Sequence, residues 1–547
     1  MPVQFNLADL FERVADTVGD RDAVVCGAER RTYAQLDDRS TRLAHVLAQG
    51  ARPGTHVALY LRNSVEHLEA MFACYKARAA PINVNYRYTD AELDYLLADA
   101  DAVGIVYDAG VRERAGRVAA GRPEVAFSID VDDPSFSVDL DVASAARDLG
   151  PRSGDDHYVL YTGGTTGMPK GVVWRHEDIF FGAMGGGNPG GSPIERPDDI
   201  AVSVVANPAQ RLRPFLTDGD AGPPQFVSLA LGPLMHASGP WSASGTLLGG
   251  GKVVLYDRPH VEMEHVLDLV EREGVNAMNL VGDASARPLL AALAAHAGRW
   301  DTSSLRLLGS GGSILSADAK EALMVELPSV LAIVEGIGSS ESPAQAVAVT
   351  TRVAAPAPAR SLTFSAKAET IVVDDDLRPV ARGSGVVGRL ATRGRVPLGY
   401  YKDPDRSART FVEIEGIRWS LPGDMATIDA DGTVHLLGRG SLCINTGGEK
   451  VYPEEVEAIL KSHPAVADAV VVGAPDEQFG QRVVAIVEPS ASAPAPDLAS
   501  LQNHCRTQLA GYKVPRAAHI VDAVVRTAAG KPDYAWARAV IAEAPPA

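Results

Sequence analysis

Short apolar runs of strand type alternate with helical stretches through most of this chain, and that rhythm constrains its fold more than any other feature. Residues 23–26, 31–33, 56–61, 79–85 and 102–107 read as strands, while 33–49, 64–78 and 90–98 carry helical spacing. A strand, a crossover helix and a second strand pair in parallel, and parallel sheets need both faces covered. The pattern returns between residues 226 and 327. An α/β fold with more than one sheet is therefore expected. Leu7, Leu10, Phe11, Val14 and Val18 share one helical face after Asn6, so the chain should open on a capped amphipathic helix.

At 547 residues the chain exceeds a single domain. Helical signals fade from residue 344 to 382, which predicts a smaller β-rich part. After Gly438 the texture changes again. Helical stretches at 454–461 and 498–509, strands at 466–472, 482–488 and 519–525, and a Ser/Ala/Pro stretch at 490–496 predict a compact α+β unit. Residues 178–228, with glycines from Gly185 to Gly191 and then Pro193, Pro197, Pro208 and Pro214, break the rhythm and read as a lid or a disordered insertion.

A formal charge of −18 argues against binding DNA or RNA through bulk electrostatics, although a small anion could be held locally. Cys26, Cys74, Cys443 and Cys505 are far apart and form no Cys-x-x-Cys pair, so reduced thiols are expected. The start of the chain lacks a basic lead and a long apolar core, and apolar segments stay short of the ~20 residues that span a bilayer. A soluble, cytoplasmic protein without an integral membrane segment is the expectation.

The chemistry concentrates in glycine-rich clusters. Tyr161-Thr162-Gly163-Gly164-Thr165-Thr166-Gly167-Met168-Pro169-Lys170-Gly171-Val172-Val173-Trp174 sets hydroxyls, glycines and a lysine between two apolar runs. Glycine lets backbone N–H groups turn toward an anion, hydroxyls add donors, and lysine adds charge, which together compose a phosphate cradle. It is not the Walker loop, which requires Gly-Lys followed by Ser or Thr. Gly309-Ser310-Gly311-Gly312-Ser313 comes after a strand, at the edge where ligands bind parallel sheets. Gly338-Ser339-Ser340-Glu341 joins hydroxyls to a carboxylate suited to Mg²⁺. Pro422-Gly423-Asp424 offers a carboxylate to ribose hydroxyls, Gly438-Arg439-Gly440-Ser441 has the composition of a hinge, and Gly530-Lys531 places a lysine on a turn. Each has a plainer reading: a surface loop, a tight turn, a helix N-cap, a turn-shaping aspartate, a solvated lysine. Gly383-Ser384-Gly385-Val386-Val387-Gly388 fits G-x-G-x-x-G, but the adjoining Arg389-Leu390-Ala391-Thr392 reads as a strand, so it is not a dinucleotide fingerprint.

Taken in order, these clusters resemble the adenylate-forming superfamily of acyl-CoA synthetases, nonribosomal peptide adenylation domains and luciferases. The Tyr161 to Gly171 loop and Gly447-Gly448-Glu449-Lys450-Val451-Tyr452-Pro453-Glu454-Glu455-Val456-Glu457 carry the likeness. Lys170-Gly171-Val172-Val173-Trp174-Arg175-His176-Glu177-Asp178, Ile337-Gly338-Ser339-Ser340-Glu341 and Gly530-Lys531-Pro532-Asp533-Tyr534 narrow it to bacterial fatty-acyl-CoA and steroid side-chain acyl-CoA synthetases.

The resemblance implies an N-terminal domain over 1–438, made of two α/β subdomains plus a distorted β-barrel. A mobile α+β domain over 439–547 would complete the chain, hinged near Arg439 to Ser441. It implies an AMP-forming ligase that uses Mg²⁺, ATP and coenzyme A, and leaves open whether the chain is a homodimer. Lys531 would stabilise charge on the α-phosphate. Thr162, Gly163, Gly164, Thr165, Thr166 and Lys170 would hold the outer phosphates, and Ser340 and Glu341 the α-phosphate and metal, within the nucleotide-binding run Ile337, Gly338, Ser339. Gly311, Gly312 and Ser313 would flank adenine, and Asp424 and Arg439 the ribose. His236 would border the acyl group, with Gly448 and Lys450 beside the coenzyme A arm.

The sequence departs from the superfamily at three points. Ile337 stands where an aromatic residue usually stacks on adenine, and Ser441 stands where the hinge is often charged. Ala237-Ser238-Gly239-Pro240-Trp241 lacks the aspartate that binds an amino acid's ammonium group. An apolar acid is the expected substrate. A carrier-protein loader and a non-catalytic nucleotide-binding homologue are the alternatives.

Overall fold

The computed structural model describes residues 4–162, 169–186, 194–206, 212–216, 222–313, 315–352, 363–446, 449–476, 479–491, 493–509, 511–527 and 530–543. Its strands fall into three sheets. In the first, Ala80–Asn83, His56–Tyr60, Ala102–Tyr107 and Phe127–Asp130 pair in parallel, and His157–Thr162 joins them through Ala80–Asn83. Lys170–Arg175 then folds back on His157–Thr162 with Thr162 opposite Lys170. Every residue of His56–Tyr60 is buried, as expected of a strand covered on both faces.

The second sheet starts as a parallel array. Asp22–Cys26, Lys252–Leu255, Val227–Ala230, Ala277–Leu280, Leu307–Gly311 and Ala332–Ser339 lie side by side. At Ser340-Glu341 the chain turns sharply, and Ser342–Thr351 runs back antiparallel with Ser342 opposite Ser339. The motif therefore sits on a β-hairpin, and the helix N-cap alternative falls away. The sheet continues antiparallel through Thr363–Ala366, Thr433–Arg439 and Asp424–Ile428. Its strand order is an open path among the described residues. The β-rich part, expected as a distorted β-barrel, is thus an extension of the second sheet, and no closed barrel forms among the described residues.

Between the two large sheets lies a shared layer of helices, Leu7–Val18, Tyr33–Leu47 and Val65–Lys76. Phe11, Leu43 and Phe72 join one apolar cluster with Val24 and Val253 of one sheet and Leu59 and Leu160 of the other. Each such fully buried side chain contributes about 2 kcal/mol from lost apolar exposure. Asn6 caps the first helix as its sequence suggested, accepting from the Ala8 and Asp9 amides.

Residues 178–228 are less irregular than they read. Asp199–Ala206 is a helix tied to the first helix, with Arg13 Nε donating to Asp198 at 2.9 Å. Val202, Val204 and Val205 are β-branched and read as strand formers, which hides the helix. The stretches 187–193, 207–211 and 217–221 lie outside the described residues.

The third sheet collects Ile444–Thr446, Glu449–Val451, Val466–Asp476, Gly480–Pro489 and Ala517–Ile520. Val456 and Leu460 of helix Pro453–Lys461 pack there with Val471, Ala485 and Leu501, giving the small α+β unit a core of its own. Gly388–Arg393 is a strand, as the rejection of a dinucleotide fingerprint required. All four cysteines are free thiols.

Candidate active site

Most of the clusters meet at carboxyl ends of strands. Thr162 ends one strand of the first sheet; Gly311 and Ser339 end strands of the second. Val281 comes directly after Ala277–Leu280, and the segment leading to His236 after Val227–Ala230. Ligands bind open parallel sheets at this edge, because strand ends leave backbone groups without ladder partners.

Thr162 Oγ1 lies 3.3 Å from Ser340 Oγ, which joins the two large sheets. Ser340 Oγ donates to Glu341 Oε2 at 3.0 Å, and Tyr400 OH donates to Glu341 Oε1 at 2.6 Å. Trp174 Nε1 holds the Ser340 carbonyl at 3.1 Å, and Ser420 Oγ the Glu341 carbonyl at 3.0 Å. The Glu341 amide donates to Ser339 Oγ at 3.2 Å. Gly338 could carry no side chain, since a Cβ would stand 2.2 Å from the Pro343 carbonyl oxygen. Burial, and then the Glu341 charge, push the Tyr400 phenol well above its usual range, so it stays a donor.

These oxygens suit Mg²⁺, a hard cation that takes one or two carboxylates and completes its shell with phosphate and water. No group of three or more His, Cys, Asp or Glu side chains is placed to hold a metal among the described residues. A cation at Glu341 would therefore depend on a nucleotide for its other ligands.

Lys170 is placed elsewhere. Its ammonium donates to Tyr95 OH at 3.2 Å and lies 3.9 Å from Asp99, which also accepts from Tyr161 OH at 2.9 Å. The Tyr95 hydrogen bond raises its pKa. Lysine, tyrosines and aspartate thus tie the root of the glycine-rich loop to helix Asp90–Asp99. Gly163, Gly164, Thr165 and Thr166 lie outside the described residues.

Ile337 is also turned away from the expected contact. It is 6% exposed and clusters with Ala346, Phe364 and Val434, whereas Gly336 and Gly338 face the exposed side of the strand. Strand alternation assigns it to the core. Together with exposed Gly311 and Gly312, these glycines leave a backbone shelf without side chains.

Lys531 reaches that shelf from the far end of the chain. Its Cε lies 3.7 Å from where a Cβ on Gly312 would stand, and Gly312 has φ +77°. The Lys531 turn is closed by Thr527 N to Lys531 O at 2.8 Å and Gly530 N to Thr527 O at 2.8 Å. Gly530 has φ +72°, and a Cβ there would meet Val281 Cγ1 at 2.5 Å. The small unit is therefore docked with its lysine turn against the second sheet.

His236 completes the group. Burial, then the Lys531 and Arg87 charges, lower its pKa to about 4, so the ring is neutral; its Nε2 is buried and makes no hydrogen bond. Asn83 fixes this segment: its amide donates to the Met235 carbonyl at 2.5 Å and the Tyr161 carbonyl at 2.9 Å, while Oδ1 accepts from the Tyr161 amide at 2.8 Å. One asparagine thus sets the root of the glycine-rich loop against the His236 segment. Asp424 is 7% exposed, begins Asp424–Ile428 and pairs with Arg439 across the ladder. Gly448, and the side chains of Arg439 and Lys450, lie outside the described residues.

Asn83 and Tyr400 were missed in sequence. A polar residue ending the apolar run Ala80-Pro81-Ile82-Asn83 could have flagged the first.

The chain matches the AMP-binding enzyme family over residues 11–401 and the AMP-binding enzyme C-terminal domain over 455–531. It is 42% identical to a medium/long-chain-fatty-acid–CoA/3-oxocholest-4-en-26-oate–CoA ligase of Mycolicibacterium smegmatis, covering 99% of this chain and 97% of the relative. It is 40% identical to a 3-oxocholest-4-en-26-oate–CoA ligase of Rhodococcus rhodochrous, covering 97% and 95%. Among solved structures, ATP-bound MatB from Rhodopseudomonas palustris superposes with a TM-score of 0.80 at 26% identity, covering 98% and 99%. An anthranilate CoA ligase with anthranoyl-AMP gives 0.82 at 22% identity, covering 99% and 98%, a likeness of fold.

Proposed function

We propose that this chain, which belongs to the AMP-binding enzyme family, is an ATP-dependent acyl-CoA ligase for an apolar carboxylic acid, either a medium- or long-chain fatty acid or a steroid side-chain acid. The observation that carries the reading is the meeting of Lys531 with Gly312 at the carboxyl edge of the second sheet, where Thr162, Ser340 and Glu341 also converge. The names of the relatives support the acid class.

In the first half-reaction a carboxylate oxygen attacks the α-phosphorus of ATP. The bond to the bridging oxygen breaks, and pyrophosphate leaves with its electron pair. Lys531 offsets the charge that grows on the α-phosphate and bridging oxygen, an interaction strongest in the transition state. Thr162 and Ser340 donate to phosphate oxygens, Asp424 and Arg439 take the ribose, and the bare shelf of Gly311, Gly312 and Ser313 takes adenine. Mg²⁺ bound at Glu341 would neutralise phosphate charge. Neutral His236 adds no charge beside the acid and lines the entry of its apolar tail.

In the second half-reaction the thiolate of coenzyme A attacks the acyl carbon and AMP leaves. The small domain, residues 439–547, turns about Arg439 to Ser441, withdrawing Lys531 and bringing Gly448 and Lys450 beside the thiol arm. The reading places the reaction in the cytoplasm.

Pyrophosphate release measured over a panel of acids, with and without coenzyme A, tests it. Release with apolar acids and thioester formation with coenzyme A are expected. Release without a thioester would instead mark a carrier-protein loader, and no release with any acid would mark a non-catalytic homologue.

A further inference from the structure

Lys531 is exposed, and the turn that carries it is braced from one side. Arg526 and Pro532 form an antiparallel bridge across the turn, and the Lys531 amide donates to Thr527 Oγ1 at 3.2 Å. Arg526 Nη1 donates to the Gly530 carbonyl, one residue before Lys531, at 3.0 Å.

The other edge of the guanidinium is anchored. Nε and Nη2 meet Asp468 Oδ2 and Oδ1 at 2.7 and 2.6 Å, a two-point pairing that fixes the plane as well as the position. Asp468 belongs to the long strand Val466–Asp476 and also receives Lys461 Nζ at 3.2 Å. The Arg526 side chain is only 11% exposed. Burial disfavours its charge, but the Asp468 hydrogen bond and charge outweigh that and keep it protonated. The same Nη1 lies 3.5 Å from Ser313 Oγ, across the boundary between small and large units.

We propose that Arg526 is a positioning residue: clamped by Asp468, it holds the Gly530 carbonyl and, through it, the aim of Lys531 during adenylation. The proposal rests on the ligase reading. The Asp468 pair lies inside the small unit and persists in any orientation of it. The Ser313 contact exists only while the lysine turn is docked. Arg526 therefore matters for one half-reaction and not for the other. Lysine cannot replace it, since an ammonium offers no planar fork to span carboxylate and carbonyl.

The test uses full-length protein with Arg526→Lys and Arg526→Gln. ATP–pyrophosphate exchange with the preferred acid reports adenylation, and thioester formation from synthetic acyl-adenylate and coenzyme A reports the second step. A misplacement of about 1 Å costs up to about 100-fold. Both variants should lose roughly 10- to 100-fold in adenylation kcat, with KM for ATP and acid and the thioester step within about two-fold of wild type. Equal loss of both half-reactions, or full adenylation activity in Arg526→Lys, overturns the proposal. If Arg526→Gln does not fold, Arg526→Lys, which keeps charge and most of the volume, carries the test alone. A wild-type protein inactive in both steps refutes the ligase reading itself; wild-type activity with unaffected variants refutes only the role of Arg526.

Discussion

Replacing Gly530 by alanine separates strain that is always present from strain that belongs to docking. The residue has φ +72°, so any side chain costs the turn about 1–2 kcal/mol in every orientation of the small unit. A second cost arises only when the turn is docked. The new Cβ would lie 2.5 Å from Val281 Cγ1 and 3.2 Å from Val281 Cβ, well inside contact distance. Overpacking of this kind costs about 1–3 kcal/mol, which is roughly 5- to 150-fold in the population of the docked arrangement. Under the proposed function adenylation needs Lys531 at Gly312, so it should fall by that factor. Thioester formation from preformed acyl-adenylate should not. Val281→Ala removes the methyls that obstruct, so the Gly530→Ala, Val281→Ala pair should recover most of the lost adenylation rate while keeping the φ strain. ATP–pyrophosphate exchange and a thiol-consumption assay measure the two steps. Failure of Val281→Ala to restore exchange, or parallel loss of both steps, would refute the reasoning.

Lys531→Ala should cut adenylation by about 100-fold or more, as removal of a transition-state donor does, whereas Lys170→Ala should change ATP use only moderately because its ammonium is engaged by Tyr95 and Asp99; the reverse order in exchange kinetics would overturn the assignments. Tyr400→Phe removes the hydrogen bond to Glu341 Oε1 and should raise the Mg²⁺ concentration for half-maximal exchange by about 10-fold, as losses around a metal ligand do; an unchanged Mg²⁺ titration would count against a metal at Glu341. His236, held near 4 in the fold and titrating near 6.5 when unfolded, binds its proton first in the unfolded chain, so its stabilisation is present above pH 6.5 and is lost as pH falls toward 4. Wild type should therefore lose about 2 kcal/mol relative to His236→Asn between pH 7 and 5 in urea titrations, and no relative change would contradict a neutral buried ring.

Much of this arrangement could be read from the residues because the fold and the candidate site have local signatures. Strand and helix periods announced the parallel sheets, and glycine clusters marked Gly311 at a strand end and Ser340 and Lys531 on turns. The features that could not be read depend on alternation or on distant partners. By its place in the motif Ile337 offers adenine an apolar contact, yet period two along Ala332–Ser339 turns it to the core. Lys170 reads as a phosphate ligand in sequence, and nothing nearby announces its contacts with Tyr95 and Asp99. The barrel carried over from the resemblance became an open extension, since closure depends on which edges pair and no short segment encodes that. Asn83 is short of any motif; its importance comes from reaching Tyr161 and Met235, residues far from it and from each other in the chain.

The pairing of Asp22–Cys26 with Lys252–Leu255 also sets an order of assembly. The first sheet needs nothing beyond Tyr400 and most of it nothing beyond Arg175, whereas Asp22–Cys26 must wait for a neighbour made far later. At the usual ~5–20 residues per second of synthesis, that wait lasts about 10–45 s. Throughout it, Ala23, Val24 and Val25 present one open edge; the other is already covered by the hairpin partner Glu29–Thr32, whose Glu29, Arg30 and Arg31 guard it with charge. The nascent chain is thus most exposed to strand-mediated aggregation before Lys252–Leu255 emerges, and ribosome-bound chains ending short of that strand are where chaperone dependence should concentrate.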